Sequence, residues 1–182
     1  MMRALVMTVI GADRPGLVEQ LSAIVSEHGG NWVDSRMVHL AGEFAGVVRV
    51  EIAEERRFAL QDQLLALGDH GLRVVVQGNE QPSSSEEVAR RSVTFQLVGQ
   101  DRPGILASVT RVISSHGANV EELHSGCTSA PMTGETLFEA KAHLSVPLSV
   151  SLDVLRDSLE EIAADLLVDI SLETDDSEAT TG

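Results

Sequence analysis

The chain has 182 residues, 43% of them hydrophobic, with four Phe, one Trp and no Tyr. This composition belongs to a globular protein with a core of Val, Leu, Ile and Ala, in one ordinary domain or two small ones. A net charge of −15 disfavours direct contact with nucleic-acid phosphates or anionic membranes. No apolar run approaches the length of a membrane-spanning helix. The apolar start, Met1 to Val6, reads as a first strand rather than a signal peptide. The single Cys127 excludes an internal disulfide and a cysteine-type metal site. A cytoplasmic protein without membrane, metal or cofactor is expected.

In chain order, a first strand over Ala4–Ile10 runs into Gly11-Ala12-Asp13-Arg14-Pro15-Gly16. Pro15 suits the first position of a helix, where its missing N–H costs nothing. Leu17, Leu21, Ile24 and Val25 then share one helical face. His28-Gly29 stops that helix, Gly29 being a natural left-handed cap. Trp32–Leu40 and Phe44–Ile52 follow as strands around the turn Ala41-Gly42. A second helix is expected over Arg57–Gly68, carrying Leu60, Leu64, Leu65 and Leu67, and a last strand over Leu72–Gln77. The whole pattern then repeats. Gly99-Gln100-Asp101-Arg102-Pro103-Gly104 and His116-Gly117-Ala118-Asn119 lie 88 residues after their counterparts, and nine of 21 positions from Gly11 to Asn31 are identical. The second copy has strands over Ser92–Val98, Val120–Ser125, Thr136–Val146 and Val168–Leu172. Its first helix carries Ile105, Val109, Val112 and Ile113, and its second Leu152, Leu155, Leu159 and Ile162. Each copy is β-α-β-β-α-β, so the expected fold is α+β, two tandem ferredoxin-like domains, each a four-stranded antiparallel sheet with two helices on one face.

The expected boundaries are 1–78 for the first domain, 79–90 for a Ser/Glu-rich linker, 91–173 for the second domain and 174–182 for an acidic, disordered tail. The main asymmetry between copies is the longer middle connection Gly126–Gly134.

Chemistry is concentrated in Asp-Arg-Pro-Gly. A helix N-terminus offers unpaired N–H groups and partial positive charge to a carboxylate. Gly16 and Gly104 let a ligand approach the backbone. Asp13 and Asp101 either pair with an ammonium group or cap the helix. Asn31 and Asn119 open the second strand of each copy, at the far end from the Pro-Gly turn, and reach a ligand only across an interface with another copy. Carboxylate site, acid and amide together suit a free amino acid. The same residues also make good turns and helix stops, and spacing alone leaves both readings open. His28 and His116 fit helix C-terminal roles. His39, His70, His124 and His143 show no ligand spacing, and Ser125, Cys127 and His124 do not make a nucleophile and base by adjacency. The chain is expected not to be an enzyme.

At these motifs the sequence resembles the ACT domain, the small regulatory module of amino-acid metabolism, over about Ala4–Gln77 and Ser92–Leu172. Two such domains without an attached enzyme resemble the glycine cleavage system transcriptional repressor family. In amino-acid-binding ACT domains the ligand sits between paired domains, against the loop before the first helix. The resemblance therefore implies ligand contacts at Asp13, Arg14, Pro15, Gly16, Leu17 and Asn31, and at Asp101, Arg102, Pro103, Gly104, Ile105 and Asn119. It implies a small amino acid as ligand, with glycine or serine as candidates, and pairing of domains or a homodimer. With no DNA-reading element visible, transcriptional control requires a protein partner such as a DNA-binding regulator. The alternative is a stand-alone regulatory subunit of an amino-acid metabolic enzyme.

Overall fold

The structure is a computed structural model that describes residues 1–78, 88–129 and 134–174. It divides into two compact units, Met1–Ser85 and Glu86–Gly182. Residues 79–87 of the expected linker, residues 130–133 of the middle connection and residues 175–182 of the expected tail lie outside the described residues.

In the first unit, alternating apolar residues make β1 (Met2–Ala12), β2 (Asn31–Leu40), β3 (Glu43–Ala53) and β4 (Leu72–Gly78), and 3.6-residue spacing makes α1 (Leu17–Glu27) and α2 (Arg57–Ala66). The second unit repeats the order with β5 (Arg90–Gln100), α3 (Ile105–Ser115), β6 (Asn119–Ser129), β7 (Thr136–Pro147), α4 (Leu152–Leu166) and β8 (Val168–Thr174). The sheets run β2-β3-β1-β4 and β6-β7-β5-β8, and every pairing is antiparallel. This is the ferredoxin-like arrangement, twice.

One face of each sheet carries the core. In the first unit Leu5, Met7 and Val9 of β1 and Val48, Val50 and Ile52 of β3 are buried with Leu17, Leu21, Ile24 and Val25 of α1 and Leu60 and Leu64 of α2. In the second, Val93, Phe95 and Leu97 are buried with Ile105, Val109 and Ile113 of α3 and Leu155 and Leu159 of α4. Each fully buried side chain of this size contributes about 1.5–3 kcal/mol of transfer free energy.

Several boundaries differ from the sequence-based expectation. Strand pairing carries β1, β5 and β6 beyond their most apolar residues, because backbone hydrogen bonds continue where side chains turn polar. Arg90 therefore belongs to β5, Thr174 to β8 and Gly126–Ser129 to β6. The second helix is α only from Arg57 to Ala66, flanked by 3₁₀ turns at Glu54–Arg56 and Leu67–His70. That tightening turns Leu67 into the core and leaves Leu65 exposed.

The start of the first helix is the most consequential correction. Helix α1 begins at Leu17 and α3 at Ile105, so Pro15 and Pro103 lie outside them. Gly16 (φ 89°, ψ 2°) and Gly104 (φ 91°, ψ −3°) are the N-caps, in the conformation of the third residue of a type II turn, with proline at the second. A left-handed residue cannot sit inside a right-handed helix, so the helix starts one residue after each glycine.

The helix stop matches expectation in detail. The Gly29 N–H donates to the Ser26 carbonyl and the Gly30 N–H to Val25, both at 2.9 Å; Gly117 and Ala118 repeat this on Ser114 (2.9 Å) and Ile113 (3.3 Å). Gly29 and Gly117 both have φ 69°. These are Schellman motifs, which need a left-handed residue just past the helix.

Candidate functional site

The candidate site in each unit is the loop between the first strand and the first helix. Its entry is fixed by backbone packing. A Cβ on Gly11 would stand 2.4 Å from the Gly71 carbonyl oxygen, and one on Gly99 2.4 Å from Val168 Cγ1. The first glycine of each motif therefore serves close approach to the neighbouring strand. The loop is then pinned from the other side: Asp13 N–H donates to the Gly42 carbonyl and Asp101 N–H to that of Thr136, each at 2.9 Å.

At the helix start, the Gly16 carbonyl accepts from the Gln20 N–H at 2.9 Å and the Gly104 carbonyl from the Ser108 N–H at 3.0 Å. Both N-caps are glycines with no side chain to bond, and among the described residues no side chain accepts from the N–H groups of either first turn. Asp13 and Asp101 thus do not cap these helices, which removes one of the two roles the sequence left open for them. The N–H groups of Leu17 to Glu19, and of Ile105 to Ala107, point out of the helix end. The space beside each cap glycine is open, for a Cβ on Gly104 would meet nothing within 4 Å and one on Gly16 only Glu19 Oε2 at 3.9 Å.

The expected site residues distribute unevenly about this opening. Asp13, Arg14, Pro15, Gly16 and Asp101, Arg102, Pro103, Gly104 are exposed along the loops. The guanidinium of Arg14 donates to Gln20 at 3.3 Å, and that of Arg102 to Gln100 at 3.2 Å. The side chains of Leu17 and Ile105 are buried in the two cores, so only their backbone N–H groups face the opening. Asn31 and Asn119 are at the other end of the sheet. Asn31 lies level with Glu51 and Ala4, and Asn119 with Ser145 and Ser92. Nine residues of strand, roughly 30 Å, separate those levels from the aspartates. Within one unit the amide and the loop do not meet. In the second unit Asn119 instead edges an open cavity of about 500 Å³ with Thr110, Arg111, Ser114, Ala118 and Val120.

Two side chains that the sequence reading set aside do reach the loop. His39 Nε2 is 3.6 Å from Asp13 Oδ2. Cys127, exposed near the end of β6, is close enough to Asp101 to feel its carboxylate. Partial desolvation, and then the repulsion and hydrogen bond of the Asp101 carboxylate, raise the thiol pKa above its ordinary value. Since Cys127 is exposed on the surface, the carboxylate is the cause with a specific structural basis. His39 and Cys127 occupy one position in the repeat. Each lies opposite a phenylalanine, Phe44 on β3 and Phe138 on β7, and the offset is again 88 residues. The repeat extended past Asn31 would have revealed this.

A β-bulge delivers them there. The register shifts between Trp32 and Asp34, and between Val120 and Glu122. Trp32, opposite buried Val50, faces the helices; beyond the bulge that face passes to Ser35, Met37 and His39, with Met37 packed on the core. One extra residue inverts the alternation of a strand.

The other recurring histidines have a structural role. His28 Nδ1 lies 2.9 Å from the Ile24 carbonyl and His116 Nδ1 2.9 Å from that of Val112, each adding a hydrogen bond to a carbonyl of the last helical turn.

The comparisons with known proteins agree with the fold. The ACT domain family matches residues 3–84 and again residues 89–164. The glycine cleavage system transcriptional repressor of Escherichia coli is 29% identical over 142 residues, 78% of this chain and 72% of the relative. A protein of unknown function from Galdieria sulphuraria superposes with a TM-score of 0.80 at 28% identity, covering 96% of this chain and 99% of that one. A structure titled as a glycine cleavage system transcriptional repressor shares the fold, with a TM-score of 0.69 at 18% identity and coverage of 96% and 98%. With two β-α-β-β-α-β units, each matched separately, the chain belongs to the ACT domain family and carries two of its domains in tandem.

Proposed function

We propose that this chain is a cytoplasmic regulatory protein that senses a small amino acid and acts through a protein partner. The observation that carries this reading is the pair of helix N-termini behind Gly16 and Gly104, both lacking a side-chain cap and both preceded by an aspartate free of capping duty. The outward N–H groups suit a carboxylate and the aspartate suits an ammonium group, which together describe a free amino acid. The name of the Escherichia coli relative makes glycine and serine the first ligands to test, and control of glycine and one-carbon metabolism the process to look for. Asn31 and Asn119, at the far sheet ends, would reach such a loop only on a second copy of the chain, which would couple binding to assembly. The first sheet supports assembly as well: its face away from the helices exposes Ile10, Val38, Leu40, Val47 and Val75, an apolar surface suited to pairing in a homodimer.

The charge of −15 supports a reading in which the partner makes any DNA contact. A pull-down from the native host distinguishes a DNA-binding regulator from a metabolic enzyme as that partner. The reading itself is tested by calorimetry with glycine and with serine on the intact chain and on Asp13→Asn and Asp101→Asn. Loss of a charged hydrogen bond weakens affinity by about ten- to a hundredfold. Melting temperatures stay within about 2 °C of the parent, because neither aspartate caps a helix. Unchanged affinity in both variants sinks the reading.

A further inference from the structure

We propose that the chain dimerises through one of its two sheets: the face of the first sheet away from the helices packs on the same face of a second copy, and the matching face of the second sheet takes no part. This rests on the reading above and deepens its assembly half. Antiparallel register lays Val75, Thr8, Val47 and Arg36 side by side across the first face. Ile10, Val38 and Leu40 continue the patch in the next two rows. The five apolar residues among these are 45% to 73% exposed and contiguous, which calls for a partner. Four strands with an eleven-residue β1 make a face of about 20 by 35 Å, roughly 700 Å². A standard interface takes about 800 Å² from each partner.

Charge selects the occupant. Arg36, Arg49 and Arg73 on this face balance Asp34, Glu43 and Glu51. Arg36 and Asp34 are 2.9 Å apart, Arg49 and Glu51 3.6 Å. In a chain of −15, two copies approach with least repulsion where the local charge is zero. The second sheet is built differently at the same positions. Its matching row is Ser171, Gln96, Lys141 and His124, and Lys141, the only lysine in the sequence, stands where the first sheet has Val47. Gly126 and Thr128 take the places of Val38 and Leu40. An open hollow of about 380 Å³ results, lined by Gln96, Val98, His124, Gly126, Glu139 and Lys141. An apolar face laid over it would leave a void and strip water from Lys141 and Glu139, which disfavours the pairing. Glu122, Glu139, Asp169 and Glu173 also make this second face acidic, so two of them repel. The first face therefore pairs with its own copy and closes a two-fold dimer.

Sedimentation of the intact chain is the test. The parent is a dimer whose mass stops there as concentration rises. Val47→Lys puts into the first face what Lys141 is in the second, and raises the dimer dissociation constant on the order of a hundredfold or more. Lys141→Glu leaves it within about twofold. Val47 faces away from the core, 47% exposed, so the fold survives the exchange, which urea titration by Trp32 fluorescence verifies. In a Cys127→Ser background, Val47→Cys crosslinks to itself with a short bis-maleimide, because a two-fold axis brings the centres of the two faces together; Lys141→Cys does not. A monomeric parent, a Val47→Lys chain that dimerises like the parent, or no self-crosslink at Val47→Cys overturns the inference. Lys141→Glu weakening the dimer as far as Val47→Lys, or a Lys141→Cys self-crosslink, overturns it too, by bringing the second sheet into the interface. These assays contain no amino acid, so the sensor reading is judged apart from them. Aspartate-dependent binding of glycine or serine beside a failed assembly result sinks the inference alone. No binding beside the expected dimer sinks the sensor reading alone.

Discussion

Replacing Gly16 with alanine isolates the conformational role of the Pro-Gly turn. Gly16 sits at φ 89°, and an added Cβ would meet only Glu19 Oε2 at 3.9 Å, an ordinary contact. The cost is therefore that of holding an L-residue in the left-handed region, about 1–2 kcal/mol, less roughly 0.5 kcal/mol from the stiffer unfolded chain. A net loss of about 1 kcal/mol lowers the melting temperature of a unit this size by about 4–8 °C. The single tryptophan, Trp32, lies in the first unit and packs on its core, so urea titration followed by its fluorescence reports that unit alone. Gly68→Ala is the internal control. Gly68 has no left-handed φ, and a Cβ there meets nothing within 4 Å, so the same titration shows it neutral or stabilised by about 0.4–1 kcal/mol. A Gly16→Ala variant as stable as the parent, or one indistinguishable from Gly68→Ala, refutes the turn assignment. The same geometry rules out a bulky residue at Gly16 or Gly104 as a clean block of ligand approach, because strain accompanies any side chain there.

The remaining predictions concern packing and capping. Gly99→Ala is strongly destabilising, since its Cβ would lie 2.4 Å from Val168 Cγ1; in a double-mutant cycle Val168→Ala recovers part of the loss, with a coupling on the order of 1 kcal/mol in unfolding titrations. His28→Ala costs about 0.5–1.5 kcal/mol by Trp32 fluorescence through loss of the bond to the Ile24 carbonyl. Light scattering gives a dimer mass, and substituting Val38 and Leu40 on the exposed sheet face with lysine shifts it toward monomer.

What the sequence determined by itself is what depends on near neighbours. Element order follows from periodicity, the helix stop at His28-Gly29 from the need for a left-handed residue, and the duplication from two motifs at a fixed offset. The start of α1 was also a local matter. There, the glycine after the proline decides the start, because the type II turn requires it and leaves Pro15 outside the helix. Contacts set by strand register were a different matter. His39 is 26 residues from Asp13 in the chain, and their meeting depends on an antiparallel return through β3 and on one bulged residue near Trp32. Without that bulge Val38 and Leu40 would face the helices and His39 would face away. The same register holds Asn31 at the opposite end of the sheet from Asp13. Bulges and pairing are decided by which residues the two strands and the helices bury together, and no window of sequence contains all of them.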